Sequence, residues 1–153
     1  MVNINQNNSE PIYHLIAILE DTKRVYLKAA EKIKDEVLSV LLESFGYQRG
    51  RYSKELQQLL RQSGATSPID QFTLSLLHRS WMHLKAAFKF GQKEAVIDAC
   101  IKGEEAALEN YTLALQQLQD NDEVKILLLQ QANGITTVLN TIKEFNGKTN
   151  TGI

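Results

Sequence analysis

Cysteine, proline and tryptophan are nearly absent from this chain, with one Cys, two Pro and one Trp in 153 residues. A lone thiol, Cys100, makes no internal disulfide, so stability has to come from a packed core, and the chain is long enough to build one. With prolines only at Pro11 and Pro68, long stretches run without a helix breaker. No apolar run approaches the roughly 18 residues of a membrane-spanning helix, so no membrane partner is expected. Neither sign of charge prevails: 17 Lys and Arg stand against 18 Asp and Glu. That balance gives no reason to expect nucleic acid as a partner. A basic segment followed by an apolar one does not open the chain, and a cytoplasmic location is the expectation. Phosphate-binding glycine loops, zinc-finger spacings and nucleophile elbows are also missing.

Hydrophobic periodicity is present in abundance. Ile12, Leu15, Leu19, Tyr26 and Ala29 recur at the spacing of one helix face, and so do Leu38, Leu41, Phe45, Leu56 and Leu59. A third stripe joins Ile97, Cys100, Glu104, Ala107, Tyr111, Ala114 and Leu118, and a fourth joins Val124, Leu127, Ile135, Val138 and Ile142. "GATSP" supplies a stop at Gly64 and a cap at Ser67 with Pro68 in the following turn, so a separate helix begins there. The pattern predicts an all-α domain over residues 11–146, with helices at about 11–34, 36–63, 69–89, 92–119 and 122–146. Residues 1–10 and 147–153 are expected to be flexible tails. Tight connections pair the first two long helices and the last two, and the segment between the pairs carries its own helix. This is the connectivity of a ferritin-like four-helix bundle with an additional crossover helix.

Each long stripe is interrupted near its middle by polar groups: Thr22 and Tyr26, then Gln48, then Glu104, then Gln131. They predict a polar layer of Tyr26, Gln48, Glu104, Tyr111 and Gln131, with Glu104 held by the amides and a tyrosine hydroxyl. Di-metal sites in such bundles need a glutamate from each of two helices and a Glu-x-x-His pair from each of the others. Here the second and last helices offer amides at that level, so no metal and no cofactor are expected. The alternative is an atypical metal site around Glu104, completed by Glu20, in an oxidase or storage protein. Glu105 and Glu109 share a solvated flank, and Cys100 reads as a buried inert thiol.

The segment "LLHRSWMHLKAAF" concentrates two of the three histidines and Trp81. His78 and His83, five apart on a helix, point about 140° away from each other and cannot share one ion. Leu77, Trp81, Leu84 and Phe88 form an inward stripe, which makes this the anchoring crossover helix.

"VYLKAAEKIKD", "GYQRGRYSKEL", "HRSWMHLKAA" and "GEEAALENYTLAL" together resemble a bacterial family of ferritin-like four-helix-bundle proteins of unknown function. Its most specific motif is carried here by His78, Arg79, Trp81 and Met82. The resemblance implies the ferritin-like fold and a bacterial source, and it brings no substrate, cofactor or catalytic residue. The function expected is that of a non-catalytic bundle acting through its surface or by self-association, with a homodimer favoured by analogy.

Overall fold

A computed structural model of the chain describes residues 6–64, 93–118 and 122–150. They form four helices: α1 (Gln6–Lys32), α2 (Glu36–Gln62), α3 (Lys93–Gln117) and α4 (Asp122–Asn150). No strand occurs among the described residues. The crossover helix expected at 69–89, and with it His78, Arg79, Trp81 and Met82, lies outside the described residues.

Local chemistry sets the helix ends. Asp35 has an extended backbone, and its carboxylate accepts a hydrogen bond from the Leu38 N–H at 3.0 Å, which caps α2. Ser39 Oγ donates back to the Ala30 carbonyl at 2.6 Å, tying the start of α2 to the last turns of α1. At the other end of α2 the chain turns at Gly64 with φ +75°, a conformation that glycine adopts without strain.

Contacts along the helices define their directions. Ser53 meets Glu20 while Ser39 meets Ala30, so α1 and α2 are antiparallel. His14 meets Asn110 while Tyr26 meets Glu104, so α1 and α3 are antiparallel too. Lys93 Nζ reaches Asp35 Oδ2 at 2.6 Å, which sets the beginning of α3 beside the beginning of α2. The end of α2, 27 residues on, is therefore about 40 Å away.

Glycines let α1 and α2 approach closely. A Cβ at Gly46 would stand 3.0 Å from the Leu27 side chain, and one at Gly50 3.2 Å from Lys23. The core divides into two apolar clusters. One gathers Leu15, Leu19, Leu56, Leu118, Leu128 and Ile135; the other gathers Tyr26, Leu42, Phe45, Ile97, Cys100 and Ile142. Buried polar groups fill the level between them.

Three expectations need correction. Helix α1 starts at Gln6, so residues 6–10 are helical and Pro11 sits inside the helix, where its missing N–H removes one bond without ending it. Helix α4 continues through Gly147 to Asn150, because a glycine weakens a helix by only about 1 kcal/mol and does not forbid it. On α2 the inward stripe passes through Arg49 and Ser53, both fully buried, while Gln48 and Tyr52 lie half-buried on its flank.

Candidate functional site: a salt-bridged polar layer

Glu104 stands on the inward face of α3 with 1% of its surface exposed. Its neighbours along that face, Cys100, Ala107 and Tyr111, are buried as well, so the carboxylate sits among buried side chains. Arg49 of α2 meets it with both terminal nitrogens. Nη1 donates to Oε1 at 2.8 Å and Nη2 donates to Oε2. The Tyr26 hydroxyl of α1 also donates to Oε1. Three helices thus converge on one carboxylate, and both of its oxygens are used.

Arg49 is 0% exposed and is one of the largest fully buried side chains of the chain. Its remaining polar atom, Nε, donates to Gln48 Oε1 at 3.2 Å, and Gln48 Nε2 passes the chain of bonds on to the Gly134 carbonyl of α4 at 3.4 Å. The guanidinium carbon stands 5.7 Å from the centroid of the Tyr26 ring, within cation–π range. Tyr26 in turn makes an edge contact with Phe45, with centroids 5.7 Å apart. Removing two charges from water costs several kcal/mol per ion, and only paired charges with satisfied hydrogen bonds offset it. That condition holds: among the described residues no buried side-chain nitrogen or oxygen lacks a partner.

Electrostatics follows from this burial. Burial alone would pull the Arg49 pKa down, but the charge of Glu104 outweighs it and the guanidinium is held protonated above its ordinary value. Burial first, and then the negative charge of Glu104, push the Tyr26 phenol well above its usual range, so it stays a neutral donor. Burial and Glu104 likewise raise the Cys100 thiol to about 12.

A second polar tier lies toward the other end. The Tyr111 hydroxyl donates to Gln131 Oε1 at 2.7 Å, and Gln131 Nε2 reaches both the Tyr52 carbonyl and Glu55 Oε1 at 3.2 Å. Tyr52 itself lies in a notch of α4: a Cβ at Gly134 would stand 1.8 Å from its hydroxyl. Gln131 therefore serves Tyr111 and α2, with no bond to Glu104. Glu20 accepts from Ser53 Oγ at 2.8 Å and stands 3.9 Å from Lys23, and neither contact involves Glu104. Thr22 bonds the Ile18 carbonyl of its own helix. Glu105 and Glu109 are exposed.

The residue that sequence reasoning missed is Arg49. Leu42, Phe45, Arg49, Ser53 and Leu56 are spaced 3, 4, 4 and 3 apart, a helix-face rhythm as good as the one through Gln48. Gly46 and Gly50, flanking it, carried the second signal, because they strip α2 of bulk where α1 closes on it.

On the α1–α3 seam a partly open cavity of about 170 Å³ reaches inward to Tyr26, Cys100 and Glu104. Its outer end is marked by the His14–Asn110 hydrogen bond of 3.0 Å. No described helix is long and apolar enough to cross a membrane.

The arrangement defines an all-helical domain whose interior is closed by a buried ion pair. Over residues 8–117 the chain matches the model of a domain of unknown function, DUF2383, and it belongs to that family. The matched stretch includes Tyr26, Arg49 and Glu104 and ends before Gln131 and Gly134. No curated protein matches the chain, and no solved structure does.

Proposed function

We propose that this protein is a non-catalytic, cytoplasmic helical scaffold of bacterial origin, a ferritin-like four-helix bundle whose central level is closed by an arginine instead of a metal. It acts through its surface, by contact with partners or with itself, and it needs no cofactor. The segment between α2 and α3 supplies the crossover helix with His78, Arg79, Trp81 and Met82. One observation supports that connection: Asp35 pairs with Lys93, which sets the start of α3 about a helix length from the end of α2.

The observation that carries the reading is the two-pronged Arg49–Glu104 pair. A hard divalent cation at this level needs free carboxylate oxygens and imidazoles, whereas both Glu104 oxygens are taken and a fixed positive charge stands beside them. Among the described residues no group of three or more His, Cys, Asp and Glu is placed to hold a metal. The donor set does not fit a di-metal centre. Elemental analysis of protein purified without chelator tests the reading. It predicts iron, manganese and zinc well below one equivalent per chain and no acceleration of ferrous oxidation under oxygen. One bound metal per chain, lost on Glu104→Ala, would favour the oxidase or storage alternative.

A further inference from the structure

Where α3 faces α1, Ala99, Gly103 and Ala106 follow one another at steps of four and three, so no side chain longer than a methyl stands there. A Cβ at Gly103 meets nothing within 4 Å. The cavity of about 170 Å³ on this seam follows from that missing bulk. An apolar cavity of about 150 Å³ takes one benzene ring, so the space suits a molecule of roughly six non-hydrogen atoms.

The wall of the cavity is rich in acceptors and poor in donors. Thr22 Oγ1 gives its proton to the Ile18 carbonyl at 2.7 Å and the Tyr26 hydroxyl gives its own to Glu104, so each oxygen keeps only lone pairs for a further partner. Asp21, 2% exposed, adds a carboxylate to the same wall. At the outer end Asn110 Nδ2 donates to the Ala106 carbonyl at 2.8 Å, which leaves its Oδ1 to accept from His14 Nε2 and gives the neutral ring an acceptor at Nδ1. The Cys100 thiol, kept neutral by burial and by Glu104, is only a weak donor. No lysine or arginine is among the described lining residues, and the three nitrogens of Arg49 are committed to Glu104 and Gln48. Ile18, Val25 and Ala107 make the rest of the wall apolar. Such a wall does not suit an anion, whereas an ammonium brings N–H donors to the acceptors and an alkyl body to the apolar side.

We propose that the α1–α3 seam is a binding site for a small primary amine. It is taken as the ammonium, with the charged end toward Asp21, Thr22 and Tyr26 and the alkyl body against Ile18, Val25 and Ala107. The site binds without chemistry, and it goes beyond the scaffold reading without resting on it.

Nitrogen-15 spectroscopy of the full chain, titrated with n-butylammonium chloride and separately with sodium butyrate at matched ionic strength, provides the test. n-Butylammonium is expected to saturate with a dissociation constant of about 1–10 mM, within reach of a ligand of this size, and to shift amides in residues 18–26 and 99–110. Butyrate, similar in size and opposite in charge, is expected to bind at least about ten-fold more weakly. Gly103→Leu, which sets a side chain at the opening, and Thr22→Val, which removes an acceptor at nearly constant shape, are each expected to raise the constant about five-fold or more with the helical circular dichroism unchanged. Equal binding of the two ions, shifts confined to other residues, no saturable binding, or binding unmoved by both variants would overturn the site. None of these outcomes touches the metal measurement, so failure of this site and failure of the scaffold reading remain separate results.

Discussion

Arg49 and Glu104, 55 positions apart in sequence, face each other at the boundary between the two apolar clusters with 0% and 1% of their side chains exposed. Each charge is acceptable there only because the other is present. Coulomb attraction in the interior is strong, but desolvation nearly cancels it, so the pair contributes specificity of packing more than net stability.

Breaking the pair on one side should therefore be costly. Arg49→Met or Glu104→Leu alone is expected to destabilise the fold by about 3–5 kcal/mol, because each leaves an uncompensated buried charge. The double variant should lose far less than the sum. Urea denaturation of the four proteins closes this cycle, and additive losses would contradict direct coupling.

Two glycines within helices should respond to alanine with opposite signs. A Cβ at Gly103 meets nothing within 4 Å, whereas one at Gly134 runs into the Tyr52 hydroxyl. Gly103→Ala is expected to stabilise by about 0.5–1 kcal/mol through the restricted unfolded chain. Gly134→Ala is expected to destabilise by about 1–3 kcal/mol through overpacking, with partial recovery on adding Tyr52→Phe. Thermal melts of the variants decide both.

Acid should loosen the joint between the two helix pairs. The Leu38 N–H, and then Lys93, hold the Asp35 carboxyl below its ordinary value. A lowered folded pKa means stability that is complete above the unfolded value, near 4, and is lost as pH falls through the folded one. Melting temperature measured from pH 2 to 5 should fall less steeply in Asp35→Asn, which keeps a cap but not the charge. Equal slopes would remove Asp35 from the acid transition.

Alkali and thiol reagents should find the buried phenols and the thiol protonated. Burial raises the phenols of Tyr26 and Tyr111 and sets the Cys100 thiol at about 12. Folded protein at pH 8 is expected to react with a disulfide reagent only at the rate of unfolding. Because raised phenol values favour the neutral folded form, stability should decline as pH climbs past about 10. Rapid Cys100 labelling under native conditions would show that the α1–α3 seam opens.

Much of the fold was legible because it depends on repetition. All seven positions read as the inward stripe of α3, from Ile97 to Leu118, are buried, and Glu104 among them was recognisable as a polar group in an apolar row. The misreading on α2 has a physical origin. Arginine is assigned to the surface because its isolated burial is prohibitive, and the partner that makes burial tolerable sits on another helix. Gln48 and Tyr52 continue the three–four rhythm as well as Arg49 and Ser53 do, so spacing alone leaves the stripe one position off between Phe45 and Leu56. The notch at Gly134 was hidden for a similar reason, since nothing local to α4 reveals that Tyr52 fills it. Helices α1 and α4 extend to Gln6 and Asn150, past the ends expected from sequence, because proline and glycine weaken helices without always ending them.

The scaffold reading proposed above sets the Arg49 guanidinium at the level where a metal-binding bundle would hold its ion, and nitrogen-15 spectroscopy of the Arg49 side chain tests it directly. The expected result is a set of slowly exchanging Arg49 side-chain N–H signals that disappear in Glu104→Gln and keep their linewidth when an equivalent of manganese(II) is added. Selective broadening of those signals by manganese in the native protein would place a cation at Glu104 and contradict it.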